Sequence, residues 1–343
     1  MRFKTAIEQA GAASVAAVES APGSRRRALR LHVFLWAKVL LTVGVLALLV
    51  TTIHPQEILR AVREARYPLV LASLALAVPA MTLRALKWRY LLKQVKPDVR
   101  LGEVWATLLV GVTFAVVTPG QVGEFGRAFF ISGRPRLELI GLSFIDKLYN
   151  LLAIVLFGSL ALLFLPGLFP VGNGYIFASC GVLVGLLWAF LILMLLSPRW
   201  IRDLLYAVNV MLPYRDKVKV LLSGLDPIHR RQSVTIALLG IAHYLICILQ
   251  FYLLVLSFQP ASFWDSFRAS AATIFVKAAL PISIGGLGVG ETAAVAFYRL
   301  FGVGQAAAFN SSMMLFSINI LLPAAIGFLV LLKLRIVPDE SHG

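Results

Sequence analysis

Thr118-Pro119-Gly120-Gln121-Val122-Gly123-Glu124 and Pro281-Ile282-Ser283-Ile284-Gly285-Gly286-Leu287-Gly288-Val289-Gly290-Glu291 decide how this chain is read. Each interrupts an apolar segment, and each ends in Val-Gly-Glu. Proline withdraws a backbone donor and glycine admits a tight turn, so a helix entering either stretch breaks there. Upstream of the first stretch, Glu103–Val117 is too short to cross a bilayer comfortably, and the segment after it stops near Ser132 and Gly133. That second arm, about 11 residues, rises only ~16 Å as a helix. The pair therefore reads as a re-entrant hairpin, which lipid tolerates only where the broken backbone is enclosed by protein or lines a wet cavity. Trp264–Leu280, the second broken stretch and a short helix ending near Leu300 repeat the design.

Outward from these hairpins, apolar runs near 33–52, 67–86, 139–165, 174–197, 233–257 and 304–332 reach or approach the roughly 20 residues that span a bilayer core. Hydrophobic residues make up 59% of the chain and charged residues 14%, with a mean hydropathy of +0.87. Soluble domains carry about a quarter charged residues. The runs also lack the amphipathic alternation of helices that bury one face and wet the other. The expected fold class is an all-α polytopic membrane protein, with six full transmembrane helices and two re-entrant broken-helix hairpins.

Glu124 and Glu291 stand 167 residues apart, and the same offset carries the spans beginning at 67 and 139 to within two residues of those beginning at 233 and 304. The unit of span, broken hairpin and span therefore occurs twice. Three full crossings separate the two units, so they run in opposite directions. That is an inverted-topology repeat, an architecture that places a site near the bilayer midplane. The expected organisation is a cytoplasmic tail over 1–32, a first membrane half over 33–197 with its hairpin at 103–132, and a basic linker over 198–232. A second half follows over 233–335, with its hairpin at 264–301, and then a tail over 336–343.

The formal charge is +16, from 32 Lys+Arg against 16 Asp+Glu. In a soluble chain this suggests nucleic acid; here the positions argue otherwise. Basic residues gather at Arg25, Arg26, Arg27 and Arg30, from Lys87 to Arg100, and from Arg199 to Arg231. These are flanks of spans, where the positive-inside rule sets orientation. The expectation is a cytoplasmic (inner) membrane, both termini cytoplasmic, the first hairpin entering from the cytoplasmic side and the second from the outer side. The intended outer loops 166–173 and 258–262 contain no Lys or Arg, whereas 53–66 carries three Arg against two Glu and fits less well. The apolar run after Arg30 exceeds a signal-peptide core, so the first span is read as uncleaved. The 198–232 segment mixes Trp200, Leu204, Leu205 and Tyr206 with basic residues, as an interfacial helix does. Cys180 and Cys247 lie inside spans as small packing residues, with no disulfide or zinc spacing.

Charges inside spans are the informative exceptions, since each costs roughly 2.5–3.5 kcal/mol at a helix centre on insertion scales. Glu124 and Glu291 open short helices, where free N–H groups and the positive dipole end favour a carboxylate. Two roles are open for them: capping the helix, or sharing the N-terminus with an anionic head group or a coupling ion. Arg127, three residues after Glu124, either pairs with it or meets a phosphate as a planar fork. Ala294 takes the matching place in the second unit. Lys277 either supplies the second unit's cation or pairs with Glu291. Asp146 and Lys147 are adjacent and point about 100° apart, so they take different partners, one candidate being Arg127. Arg84 either contributes to the site or snorkels with Lys87 and Arg89. His243 reads as a hydrogen-bonded packing residue rather than a proton carrier. The chain lacks the phosphate loop, the H-E-x-x-H helix and the G-x-S-x-G elbow, so no catalytic residue, metal or cofactor is expected. Gly286, Gly288 and Gly290 follow a membrane half-helix, not a strand, and are not a dinucleotide loop.

Pro119-Gly120-x-x-Gly123-Glu124-x-x-Arg127 and Pro281-x-x-x-Gly285-Gly286-Leu287-Gly288-Val289-x-Glu291 form a double motif. Together with Lys87-Trp88-Arg89 and Asp146-Lys147, it resembles the lysylphosphatidylglycerol synthase transmembrane (flippase-like) family over about 33–335. The resemblance implies lipid translocation. Branches of the family are associated with aminoacylated phosphatidylglycerol, polyprenyl-linked glycans or hopanoids. Bifunctional members carry a soluble aminoacyltransferase domain, and this chain, ending at 343, is read as a stand-alone member. Ser317 stands where the family's last span often has a basic residue. The expected activity is transport of an amphipathic lipid with a polar or phosphate-bearing head, with membrane lipids as substrate and solvent and lipid-biosynthesis enzymes as candidate partners. The rivals are a membrane transferase using Glu124 or Asp146 as general base, and a non-transporting scaffold.

Overall fold

A computed structural model describes residues 55–118, 120–167, 174–196, 230–280 and 286–333. The expected first span, both tails, nearly all of the 198–232 linker, and the hairpin residues Pro119, Pro281 and Gly285 lie outside the described residues. What is described is helical, without strands, and five helices are long and apolar enough to cross a membrane. The protein is a multi-pass, all-α membrane protein.

In chain order the helices are α1 (Pro55–Arg63), α2 (Tyr67–Leu92), α3 (Leu101–Val117), a 3-10 helix (Val122–Phe130), α4 (Arg136–Leu163) and α5 (Gly174–Leu196). They continue with α6 (Arg230–Phe258), α7 (Phe263–Ala279), α8 (Val289–Arg299), α9 (Gln305–Phe316), a π-helical turn (Ser317–Leu321) and α10 (Leu322–Leu331). α2 and α6 run antiparallel through the centre: Arg66 N–H donates to Ser257 O at 2.8 Å, and the Gln250 side chain donates to Ser73 O at 2.9 Å. At the opposite end of the pair, Trp88 and Ile236 share one core cluster. α5 stands at the periphery with its most apolar stretch unburied, presenting Tyr175, Leu183, Leu186 and Phe190 outward as a lipid-facing helix does.

The two hairpins enter from opposite ends. α3 and the 3-10 helix open at the Leu92 end, where the Lys96 ammonium bridges Glu103 Oε1 at 2.7 Å and Ser132 O at 3.0 Å across the mouth. α7 and α8 open at the Tyr67 end, where Gln259 accepts from Gly304 N–H at 2.8 Å and donates to Gly302 O at 3.0 Å. Arg268 of α7 reaches Phe164 O, beyond the end of α4, at 3.3 Å, which fixes that end. Each hairpin has its own core: Val104, Leu108 and Ala128 join Trp88, Leu142 and Ile145 around the first, and Ala269, Ala294 and Tyr298 join Phe251 and Ala308 around the second.

Backbone contact sets how closely the pieces approach. α3 packs along α10, where a Cβ on Gly327 would stand 2.2 Å from Leu109 O, and Thr113 Oγ1 donates to Ala324 O at 2.9 Å. α7 packs closely along α4 as well, there through a side chain: a Cβ on Gly158 would fall 2.3 Å from the Phe275 Cβ.

Two elements depart from the sequence reading. The second arm of the first hairpin is a 3-10 helix rather than an α-helix. Residues three apart line up on a 3-10 helix, so Gly123 and Gly126 both press on Phe114; added Cβ atoms would lie 2.2 Å from its carbonyl oxygen and 2.8 Å from its ring. The last span, read as one run over 304–332, is widened into a π turn at Ser317–Leu321. Pro323 explains this: it has no N–H to give Asn319 O, and its ring would collide with that carbonyl in an unbroken α-helix.

Candidate functional site

The first hairpin tip turns at Gly120 and Gln121, with φ of 61° and 57°. Thr118 Oγ1 fixes the turn by donating to Phe114 O at 2.9 Å and accepting from Gly123 N–H at 2.7 Å. The tip lies deep in the bundle. Its neighbour Arg84 is eight residues before the end of α2, ~12 Å along the axis, and Lys147 is eleven residues into α4, ~16 Å from the same end.

Two clusters, each of two cations and one carboxylate, meet here. In the inner cluster Asp146 is gripped by Lys87 Nζ at 2.8 Å and by Arg127 Nη2 at 3.0 Å. Arg127 is wholly buried, donates from Nε to Ser143 Oγ at 2.9 Å, and lies with its guanidinium carbon 3.5 Å from the Trp88 ring centroid. Lys87 also donates to Asn150, and Trp88 donates to Thr107 Oγ1 at 3.1 Å. This cluster ties α2, the 3-10 helix and α4 together through charge-assisted bonds in a dry setting, where losing one partner strands the others.

In the outer cluster the Glu124 carboxylate accepts from Arg84 Nη2 at 3.2 Å and stands 3.8 Å from Lys147 Nζ. Lys147 also donates to Gly120 O at 3.2 Å and Gln121 O at 2.8 Å. These side chains keep 19% (Arg84), 13% (Glu124) and 33% (Lys147) of their surface, against 0–7% in the inner cluster. Together the clusters set four cations against two carboxylates, leaving a surplus of positive charge whose partly exposed members are Arg84 and Lys147 beside the tip.

The second hairpin is built alike and equipped differently. Gly286 and Gly288 take φ of 77° and 84°, values that glycine adopts without strain. The Lys277 side chain runs across both Gly286 and Gly290, so a Cβ on Gly286 would sit 2.2 Å from Lys277 Cε. Glu291 is fully buried, accepting from Gly288 N–H at 2.6 Å and Ser312 Oγ at 3.1 Å. It folds back onto the N-cap residue of its own helix as an N3 glutamate does. Lys277 is not in ion-pair contact with it; the ammonium lies 5.5 Å from the Phe316 ring centroid.

The structure thus brings Arg84, Glu124, Arg127, Asp146 and Lys147 to one place, with Glu291 and Lys277 at the other tip. Three pairings differ from the sequence reading. Arg127 does not pair with Glu124: their shared face on the 3-10 helix splits between partners because α4 presents Asp146 to one and Lys147 to the other. Arg84 does not snorkel to an end but turns inward onto Glu124. Lys87, grouped in sequence with the basic flank, is 2% exposed and belongs to the inner cluster. Its spacing of three from Arg84 on one helix face was the available signal. Ser143, Asn150 and Ser312 gave no signal, being ordinary small polar residues until folded against a charge. His243 lies 3.7 Å from Cys247 Sγ, a packing contact within α6. Among the described residues no group of three or more His, Cys, Asp or Glu is placed to hold a metal ion.

Residues 35–327 match the family described as lysylphosphatidylglycerol synthase TM region. No curated protein and no solved structure matches the chain. The match covers both hairpins and every charged residue of the two clusters, and it fits a lipid-related membrane function. The chain belongs to the lysylphosphatidylglycerol synthase TM region family.

Proposed function

We propose that this protein translocates an amphipathic lipid with an anionic, phosphate-bearing head group, its two hairpin tips lining a polar path while the lipid chains stay in the bilayer. The observation that carries the reading is the outer cluster: two partly exposed cations and one carboxylate at mid-depth, beside a tip whose backbone carbonyls hold Lys147. Charge at this depth is costly, and a surplus of cations there suits an anion that must leave water. Arg84 offers a fork that matches two phosphate oxygens.

The packing supports an inverted repeat. Exchanging the two halves turns the α3–α10 contact at Gly327 into the α7–α4 contact at Gly158, and turns one hairpin mouth into the other. Such a repeat offers the site alternately to the two leaflets by rocking of one half against the other. The basic residues from Lys87 to Arg100 favour a cytoplasmic Leu92 end, in keeping with an inner-membrane location. No nucleotide motif is present in the sequence, so movement is passive or ion-coupled.

Mass spectrometry of lipid retained after mild purification tests the assignment. Wild type is expected to retain a phosphate-bearing lipid, and the Arg84→Gln/Lys147→Gln double variant to lose it while remaining folded. Equal retention by both proteins would remove the outer cluster from head-group binding. Chemical conversion of an added lipid by the purified protein alone would favour a transferase instead.

A further inference from the structure

The two N3 glutamates occupy equivalent positions on their helices and make opposite choices. Glu291 folds back onto the N–H of its N-cap residue Gly288 at 2.6 Å. Glu124, three residues after its N-cap residue Gln121, reaches outward to Arg84 and Lys147 instead. The inward position at the first tip is only lightly held, since Gln121 N–H donates to Thr118 O at 3.2 Å. The outward contacts are slack as well, at 3.2 and 3.8 Å on partly exposed side chains, compared with 2.8 and 3.0 Å around buried Asp146. Lys147 stays aimed at the tip without Glu124, because Gly120 O and Gln121 O hold its ammonium.

Resting on the translocation reading, we infer that Glu124 is a resident counter-ion: it occupies the anion site of the empty protein, and an arriving phosphodiester displaces it toward its own helix N-terminus. A carboxylate and a phosphodiester each present two oxygens and a single negative charge, so one replaces the other on Arg84 and Lys147, while the displaced carboxylate is taken up by the positive end of its own helix and the added anion is met by the cation surplus of the two clusters. Binding becomes an exchange of anions. That keeps two converging cations from trapping the head group, meeting the condition that a conduit bind well enough to admit and weakly enough to release.

The test is titration of dihexanoyl phosphatidylglycerol, a short-chain monoanionic phosphodiester lipid, into the full-length protein in neutral detergent. Glu124→Gln is expected to tighten binding by about fivefold, the scale of a partly exposed ion pair. Glu138→Gln removes the same charge from the first turn of α4 and should change binding by less than about twofold. Arg84→Gln should weaken binding in both the wild-type and Glu124→Gln backgrounds. Should Glu124→Gln not fold, Glu124→Asp, which keeps the charge but shortens the reach, is expected to tighten binding by about twofold. Weaker or unchanged binding in the Glu124 variants overturns the inference, as does equal tightening by Glu138→Gln. Transbilayer lipid movement is read separately in vesicles: anion exchange without movement removes the translocation reading alone, and movement with no Glu124 effect on binding removes this inference alone.

Discussion

Asp146 and Glu124 are carboxylates with the same complement of cations and opposite surroundings. Asp146 sits in a dry knot with Lys87 and Arg127, so Asp146→Asn strands two buried cations and is expected to cost about 3–5 kcal/mol. Thermal unfolding in detergent should show it as a large fall in Tm and in folded yield. Arg84→Gln removes a partner from a partly exposed pair and is expected to cost less than about 1 kcal/mol. Its Tm should stay near wild type while lipid retention falls. The sequence exposes these charges because Glu124, Arg127, Asp146 and Lys147 stand out against apolar runs. It offers Arg127 as a partner for one of Asp146 and Lys147 without choosing between them, since that choice is made only when the 3-10 helix is laid against α4. Lys87 was hidden for the converse reason: among basic neighbours its charge looked like a membrane flank.

At the scale of elements, the hairpin's geometry depends on glycines used for contact as well as for turning. Gly123→Ala would drive a Cβ into the Phe114 carbonyl and is expected to cost about 1–3 kcal/mol as an overpacked contact. Gly102→Ala, also in the first hairpin, meets nothing within 4 Å and should be neutral or stabilising by about 0.5–1 kcal/mol, as a helical Gly→Ala change is. Chemical denaturation of the two variants side by side reads the difference. The existence and position of both hairpins follow from their Pro-Gly breaks and Val-Gly-Glu endings. The winding of the second arm does not, because 3-10 and α-helical forms of nine residues differ mainly in which face meets Phe114, a tertiary fact. The signal for the π turn was Pro323 itself, which the reading of 304–332 as one apolar span passed over.

For the whole molecule, the hairpins open at opposite ends, and the contacts at Gly158 and Gly327 close the two halves on each other. Gly158→Ala and Gly327→Ala should each slow lipid movement, and to similar degrees, if the halves rock about these two close approaches; a vesicle assay in which only one of them matters would argue against equivalent halves. The chemistry is unequal. Where the first half places Arg127, the second has Ala294, and Glu291 is enclosed by Gly288 and Ser312 while Glu124 turns to Arg84 and Lys147 and keeps some exposure. On the translocation reading, lipid head groups cross at the first tip. Head-group accessibility of a fluorescent phosphodiester lipid in proteoliposomes tests it most directly. Wild type is expected to give a rate well above that of protein-free vesicles, and Arg84→Gln/Lys147→Gln, equally folded, a return to that background. Wild-type rates equal to protein-free vesicles, or a double variant as fast as wild type, would contradict it.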